Sequence, residues 1–109
     1  MKKIKPILPS LREKKRYLAF EVISKEQNID KIEISIKDSL NSLIGSIGSA
    51  KAGILVLKDK FKGNRGLIRV NHKYTDELKA ALAVNDDIIM KSLGLSGILK
   101  KAEKRYLEV

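Results

Sequence analysis

Residues 53–72 read GILVLKDKFKGNRGLIRVNH and contain the strongest local signal in the chain. Residues 53–57 and 67–72 are apolar runs rich in branched side chains, which are typical of β-strands. Between them, Gly63-Asn64-Arg65-Gly66 supplies the residues that a tight turn favours. The stretch therefore predicts a β-hairpin whose first strand extends to about Lys60.

The segment before the hairpin predicts a strand and then a helix. Residues 16–25 alternate between two faces as a strand does, and Asp30 with Glu33 resembles a capping box. The glycines Gly45 and Gly48 mark the expected end of the helix. Its apolar repeat consists of Ile32, Ile36, Leu40, Leu43, Ile44 and Ile47.

The segment after the hairpin predicts a helix, a strand and a last helix. Thr75 is placed to cap the first helix, residues 87–93 form the strand, and Ser96 is placed to cap the final helix. The inward-facing residues are expected to be Leu78, Ala81 and Leu82 in the first of these helices, and Leu99, Ala102 and Tyr106 in the second.

These elements predict an α/β protein of the α+β type. Their order, βαββαβ plus a C-terminal helix, is that of the ferredoxin-like or RRM-like fold, with a four-stranded antiparallel sheet and two helices on one face. We expect one domain over residues 16–109 and a basic N-terminal arm over residues 1–15, where Pro6 and Pro9 interrupt any periodicity.

The second and fourth predicted strands are apolar on both faces. A sheet with one face in water alternates more cleanly. A cover is therefore expected over the face opposite the two main helices. The last helix, a protein partner or self-association through the sheet could each provide it.

Positive charge is concentrated in three blocks of the chain. The net charge is +10, to which residues 1–16 contribute +6, residues 58–73 contribute +5 and residues 91–109 contribute +3. Residues 17–57 and 74–90 are acidic, at −1 and −3. Such a distribution indicates a polyanion as partner. We favour nucleic acid over an anionic membrane, since no basic block carries a wide apolar face with aromatic anchors.

Lysine and arginine attract phosphates whatever the base sequence, so backbone contacts are expected. The candidate RNA-binding residues are Lys2, Lys3, Lys5, Arg12, Lys14, Lys15, Arg16, Lys60, Lys62, Arg65, Arg69, Lys73, Lys100, Lys101, Lys104 and Arg105. An RNA recognition motif would also stack bases on aromatic residues of its central strands. Residues 66–72 contain none, and residues 16–25 offer only Tyr17 on the relevant face. The sheet is expected to read bases poorly.

The sequence offers no catalytic constellation. The chain has no cysteine and a single histidine, His72, which excludes thiolate chemistry and a ribonuclease site with paired imidazoles within one chain. Asp86-Asp87 would point to opposite faces of a strand, and Asp76-Glu77 suits the start of a helix. Gly45-Ser46-Ile47-Gly48 matches the GxxG loop of KH domains, but that loop joins two helices, whereas a strand is expected next here. We predict no catalytic residue, no metal site and no cofactor in the protein.

The chain shows no targeting or membrane signal. No stretch is long and apolar enough to span a membrane, and charges follow Met1-Lys2-Lys3 before the apolar region of a signal peptide could develop. A cytoplasmic protein is expected.

Five segments, in order along the chain, resemble protein component 2 of archaeal ribonuclease P, a family with a eukaryal counterpart. They are residues 8–22 (LPSLREKKRYLAFEV), 45–50 (GSIGSA), 66–74 (GLIRVNHKY), 80–83 (AALA) and 96–102 (SGILKKA). The chain departs from the family pattern at Ile98, where threonine is expected.

The resemblance implies a part in removing the 5′ leader from precursor tRNA. In that family the RNA subunit is the ribozyme and supplies the Mg²⁺-dependent active site. The protein pairs with protein component 3 and works beside other ribonuclease P proteins, and two such pairs can join through component 2. The chain would thus belong to an enzyme only as a subunit. The family's functional residues carry over as Arg12, Lys14, Lys15, Arg16, Arg69, Lys73, Lys100 and Lys101.

The mechanistic hypothesis is electrostatic: the basic blocks neutralise phosphates of the catalytic RNA, so that its active conformation needs less free Mg²⁺. Three other functions stay open. They are a ribosomal or other general RNA-binding scaffold, a dimeric ferredoxin-like domain that binds a small anionic metabolite, and a metal-dependent nuclease.

Overall fold

The computed structural model describes residues 14–25 and 28–107. Its strands are β1 (Lys15–Val22), β2 (Leu55–Val56), β3 (Arg65–Asn71) and β4 (Met90–Ser96). Its helices are α1 (Ile29–Ala52), α2 (Thr75–Val84) and α3 (Leu99–Ala102), and α3 continues into a wider helical turn, Glu103–Leu107. Within these residues the four strands form one antiparallel sheet in the order β2-β3-β1-β4. The predicted α+β architecture is confirmed and is consistent with the ferredoxin-like fold.

The main core lies between the sheet and the helices α1 and α2. Alternation along β1 directs Leu18, Phe20 and Val22 to this side, where all three are buried. The inward residues of the two helices meet them there: Ile32, Ile36 and Leu40 from α1, and Leu78, Ala81 and Leu82 from α2. Each of these was expected from the helical repeat.

A second, smaller core lies on the other face of the sheet, beneath α3. Ala19 of β1 and Leu67 of β3 are fully buried against Ala102 of α3. The ring of Tyr106 lies over Gly94 of β4, so closely that a side chain at Gly94 would overlap the tyrosine hydroxyl. The last helix, one of the covers that the sequence left open, thus lies over part of this face. Leu55 of β2 stays 42% exposed beside it.

The predicted hairpin is confirmed, but its turn is two residues shorter than Gly63-Asn64-Arg65-Gly66, because Arg65 and Gly66 already belong to β3. Lys62 and Arg65 exchange two backbone hydrogen bonds of 3.0 Å around Gly63 and Asn64. Both central residues have positive φ, 60° and 66°. A two-residue turn of this kind matches the twist of antiparallel strands, and glycine and asparagine are the residues that tolerate it.

The prediction that β2 extends to about Lys60 is wrong. The strand ends at Val56, and Lys58–Lys60 forms a single 3-10 turn. The chain turns away from the sheet so that Phe61 packs on Phe20, with ring centroids 6.3 Å apart. The glycine at position 66 leaves room for both rings, since a Cβ there would lie 2.8 Å from Phe20.

The predicted bounds of the first helix are wrong at both ends. Asn28, not Asp30, caps α1, because its side-chain oxygen accepts a hydrogen bond from the Asp30 N–H at 2.9 Å. The helix continues past Gly45, which only kinks it (φ 79°, ψ 174°), and ends at Gly53 in the left-handed conformation. Two members of the predicted apolar repeat lie outside the core: Leu43, before the kink, is 46% exposed, and Ile47, beyond it, is 75% exposed.

The kink also alters the context of the GxxG match. Gly45 separates two helical stretches, and Ser46, Ile47 and Gly48 lie within the second of them, so the match neither forms a loop between two helices nor directly precedes a strand. A Cβ at Gly45 would meet no atom within 4 Å, which shows that its backbone conformation, and not crowding, requires glycine there.

Two further strands differ from prediction at both ends. The first strand covers Lys15–Val22 and not residues 16–25, and the fourth covers Met90–Ser96 and not residues 87–93. The fourth begins late because the Asn85 side chain accepts hydrogen bonds from the N–H groups of Asp87 and Ile88, which holds them in a turn.

Neither predicted cap on the later helices is correct. Thr75 is the first residue of α2, and no side chain caps this helix. The capping bond lies one turn earlier, where Asn71 caps the 3-10 turn His72–Tyr74. Ser96 is the last residue of β4, and its hydroxyl bonds the backbone of Ile98 instead of the first turn of α3.

The packing of Tyr106 on Gly94 makes a prediction about stability. Gly94→Ala should lower the free energy of unfolding by about 1–3 kcal/mol, because the methyl group must displace the tyrosine or the strand. Thermal unfolding of the variant would measure this. Gly97→Ala is the matched control, since a Cβ there would come no closer than 3.4 Å to any atom. Equal melting temperatures for the two variants would contradict the packing described for α3.

Candidate nucleic-acid interface

The sheet topology brings the basic segments to one edge of the sheet. Because β1 runs antiparallel to both neighbours, its start lies beside the ends of β3 and β4: Lys15 pairs with Asn71, and Tyr17 pairs with Ser96. Lys14, Lys15 and Arg16 therefore meet Lys73, which follows β3. We call these four residues and the nearby cation groove, defined below, the basic end.

Asn71 organises the backbone at the basic end. It is 1% exposed, and its side-chain oxygen accepts a hydrogen bond from the Lys73 N–H at 2.9 Å. Its side-chain nitrogen lies 3.5 Å from the carbonyl oxygen of Lys51, at the end of α1. The His72 N–H donates to the Lys14 carbonyl at 2.8 Å. The backbone is thus fixed, while the side chains of Lys14, Lys15 and Lys73 are exposed to solvent.

The cation groove lies where β4 passes into α3. Ser96, Lys101, Lys104 and Arg105 line a surface groove of about 420 Å³. Lys104 and Arg105 lie about one helical turn after Lys101, and all three side chains are exposed, whereas Ala102 is buried. The Ser96 hydroxyl donates to the Ile98 carbonyl at 3.0 Å and accepts from the Ile98 N–H at 3.1 Å, which shapes the turn into the helix.

Within residues 14–25 and 28–107, the cations at the basic end have no carboxylate partner. Among the described residues no ion pair within 4.0 Å involves Lys14, Lys15, Arg16, Lys73, Lys100, Lys101, Lys104 or Arg105. Asp76 and Glu77 begin α2 shortly after Lys73 but form no such pair either. No carboxylate of the described residues therefore offsets the positive charge of this surface.

The hairpin end of the sheet is different, because its cations are paired within the protein. Lys60 lies 3.0 Å from Glu103. Arg65 Nε lies 3.7 Å from Glu21 Oε2, and Arg65 Nη1 donates a hydrogen bond of 2.9 Å to the Tyr106 carbonyl oxygen. Of the candidate RNA-binding residues in the hairpin block, Lys60 and Arg65 are thus held by internal contacts, while Lys62 is exposed.

Arg69 is a third case. It lies on the same face of β3 as Arg65, four residues further along the strand. Its cross-strand neighbours are Tyr17 of β1 and Leu55 of β2. Its Nε is buried and has no hydrogen-bond partner in the part of the chain that the structure describes. Neither neighbour can supply a carboxylate.

Four of the predicted RNA-binding residues, Lys2, Lys3, Lys5 and Arg12, lie outside the described residues. Of the other twelve, the basic end brings together Lys14, Lys15, Arg16, Lys73, Lys101, Lys104 and Arg105. Lys100 is exposed on α3 beside this groove.

Sequence reasoning missed Asn71 and Glu103, which decide how these cations are arranged. The only signal for Asn71 was its position two residues before Lys73, where an asparagine side chain can cap a turn. Nothing in the sequence indicated that Glu103 would meet Lys60, because 43 residues separate them.

Three acidic side chains that are not paired with lysine lie close together on the helical side of the domain. Asp38, Asp86 and Asp87 line a groove of about 320 Å³ between α1 and the segment after α2. Asn85 bridges this groove by donating to Ser35 Oγ and Ser39 Oγ, each at 2.7 Å. The two sides of the domain therefore differ in charge, and a phosphate backbone suits the basic end.

Metal binding and membrane insertion are two other functions on which the described residues bear. No group of three His, Cys, Asp or Glu side chains there is placed to hold a metal ion. Across residues 14–25 and 28–107, no helix is both long and apolar enough to cross a membrane.

Comparison with known proteins gives the family. Residues 16–107 match the model of the Rpp14/Pop5 family. The chain belongs to this family. Curated relatives named ribonuclease P protein component 2 include those of Methanosarcina acetivorans, 40% identical over 96% of this chain and 83% of the relative, and Thermococcus kodakarensis, 34% identical over 96% and 92%. The relative in Pyrococcus abyssi is 32% identical over 96% of this chain and 94% of its own.

These findings confirm the resemblance that the five sequence segments indicated. The family match begins at Arg16, the second residue of β1, and ends at Leu107, the last residue of the final helical turn. It therefore includes both cores and the cation groove.

The Lys60–Glu103 contact makes a prediction about pH. The Glu103 carboxylate accepts a hydrogen bond from the ammonium group and raises the pKa of Lys60 above 10.5. Since the folded pKa is the higher one, the contact contributes to stability below pH 10.5, and the contribution is lost as the pH rises through the folded pKa. NMR titration of Glu103→Gln should show the pKa of Lys60 falling towards 10.5.

Lys58 provides the internal control for this titration. Its pKa is raised by hydrogen bonds to Asp30 and Glu33, which the substitution at Glu103 leaves in place. The pKa of Lys58 should therefore not change. A Lys60 pKa that is the same in the wild type and in Glu103→Gln would show that the contact does not exist in solution.

Proposed function

We propose that this chain is a protein subunit of ribonuclease P that binds the catalytic RNA through its basic end. The observation that carries the proposal is the positive surface formed by β1, the end of β3 and α3, whose cations form no ion pair with a described carboxylate. The chain also belongs to a family whose curated relatives are named ribonuclease P protein component 2. Working with protein component 3, the subunit supports removal of the 5′ leader from precursor tRNA.

The chemistry assigned to the protein is neutralisation of phosphates. The folded RNA brings phosphates together, and each lysine or arginine that binds one lowers the repulsion among them. The RNA conformation that cleaves then forms at a lower concentration of free Mg²⁺. The reacting groups and the Mg²⁺ ions belong to the RNA in this proposal, and the isolated chain does not cleave.

Backbone recognition fits the form of the surface. The cation groove is open and lined by long, flexible side chains, which suits phosphates that differ in position from one RNA to another. A small anionic metabolite would instead require a few convergent donors in an enclosed site. The same cations would serve a general RNA-binding scaffold, so the test must use ribonuclease P activity as well as binding.

The proposal predicts the effect of removing the cation groove. The triple variant Lys101→Gln, Lys104→Gln, Arg105→Gln should bind the catalytic RNA more weakly, because up to three phosphate contacts are lost. The slope of log K against log salt should decrease in magnitude by roughly 0.7–0.9 for each lost contact. Cleavage of precursor tRNA, reconstituted with the catalytic RNA and component 3, should need more Mg²⁺.

The matched control is Lys31→Gln, Lys37→Gln, Lys79→Gln, which removes the same charge from α1 and α2. Its salt slope and Mg²⁺ requirement should stay close to those of the wild type. If both triple variants behave alike, the net charge matters and the basic end does not. If the wild-type protein binds the catalytic RNA but does not support cleavage of precursor tRNA, the result would favour a general RNA-binding scaffold.

A further inference from the structure

A row of four residues crosses the open face of the sheet at the border of α3. The register places Leu55, Arg69, Tyr17 and Ser96 side by side on the strands β2, β3, β1 and β4. Neighbouring strands are about 4.8 Å apart, so the row extends over roughly 15 Å. Ser96, at one end of the row, is also part of the cation groove.

The neighbouring row, which α3 covers, shows where this surface begins. Leu67, Ala19 and Gly94 lie directly opposite one another on β3, β1 and β4. Leu67 and Ala19 are buried beneath Ala102, and Tyr106 lies on Gly94. Arg69 and Tyr17 are the next residues on this face towards the basic end, and both are only partly buried.

Two arginines on this face of β3 have opposite surroundings. Arg65 is paired across the strands with Glu21, and its guanidinium also donates to the Tyr106 carbonyl. Arg69 is paired in the same way with Tyr17. Its Nε is removed from water without an acceptor in the described part of the chain. A buried N–H of a charged group that lacks a partner is costly, so an acceptor from outside the protein would be bound favourably.

The residues around Arg69 indicate which acceptor fits. A guanidinium presents a planar set of donors that suits a phosphate, and the aromatic ring of Tyr17 beside it offers a face on which a base can stack. The exposed Leu55 extends the apolar surface on the other side. The surface continues through Ser96 to Lys101, Lys104 and Arg105, which can bind the phosphates that follow.

We propose that this row binds an unpaired nucleotide of RNA, with its phosphate on Arg69 and its base against Tyr17, and directs the adjoining strand into the cation groove. A base within a duplex is already stacked on its neighbours, so the ligand is single-stranded RNA. The sheet thus recognises one nucleotide by stacking, although its sequence lacks the aromatic pair of an RNA recognition motif. This inference rests on the proposed function, which it extends by naming the form of RNA.

The test compares single-stranded and duplex RNA with purified full-length protein. The probes are a short oligouridylate and an RNA duplex of equal length. Arg69→Gln should weaken binding of the oligouridylate about tenfold and reduce its salt slope by about 0.7, as expected for one lost phosphate contact on a single strand. Duplex binding should change less than twofold.

Tyr17→Leu separates stacking from charge. The leucine keeps an apolar side chain against the second core, and it should weaken oligouridylate binding about tenfold without changing the salt slope. Lys31→Gln removes one charge from α1, as Arg69→Gln removes one from β3, and should leave binding of both probes unchanged.

One measurement does not depend on variants that fold. In the wild-type protein, the NMR signal of the Arg69 Nε–H should shift when oligouridylate is added, because the proton gains an acceptor. The duplex should not have this effect.

Several outcomes would overturn the inference. They are an unchanged Arg69 signal, equal effects of Arg69→Gln and Lys31→Gln, or equal losses for oligouridylate and duplex. Loss of binding to component 3 in Arg69→Gln, with oligouridylate binding intact, would assign the row to a protein. In each of these cases the proposed function survives if the wild type still binds the catalytic RNA. If the wild type binds no RNA, both proposals fail.

Discussion

The packing of α3 across the open face of the sheet determines how the rest of this surface is arranged. It buries Ala19 and Leu67 and depends on a glycine at position 94, where the ring of Tyr106 takes the space of a side chain. The apolar side of a very short helix is thereby held against the sheet. Its other side carries the cations of the groove, and its continuation brings Glu103 to Lys60.

The positions of the carboxylates then decide which cations are available to a ligand. Glu21, Glu33 and Glu103 are each within 4.0 Å of a lysine or arginine towards the hairpin end of the sheet and along α1. Such exposed pairs contribute little to stability. Their consequence is that positive charge is reduced there, whereas no described carboxylate pairs with the cations where β1 begins and in α3 and its continuation. The sequence contains three basic blocks, whereas the folded domain has one basic end and a second region of internal ion pairs.

The fold was predictable because its main signals are local. Alternation in β1, the Gly63-Asn64 turn and the repeat through Ile32, Ile36 and Leu40 depend on neighbours in the chain, and each was confirmed. The ends of the elements were less predictable, since they depend on single side chains. Asn28 and Asn85 bond to nearby N–H groups, and their effect cannot be separated from that of Asp30 or Asp87 by pattern alone.

The candidate site was predictable only as a set of residue types. Basic composition indicated a polyanion, but it did not distinguish Arg65 from Arg69, which lie on the same strand and face. The difference comes from their cross-strand partners, Glu21 and Tyr17, and therefore from the register of two strands that are far apart in sequence. Charge counting cannot supply that register.

The central claim is that the unpaired cations of the basic end contact the phosphates of the catalytic RNA. Lysine acetylation followed by mass spectrometry, with and without this RNA, tests it most directly. Protection should be strong at Lys73, Lys101 and Lys104 and negligible at Lys31 and Lys79 on the helical side. Equal protection of the two groups, or protection confined to the helical side, would contradict the account.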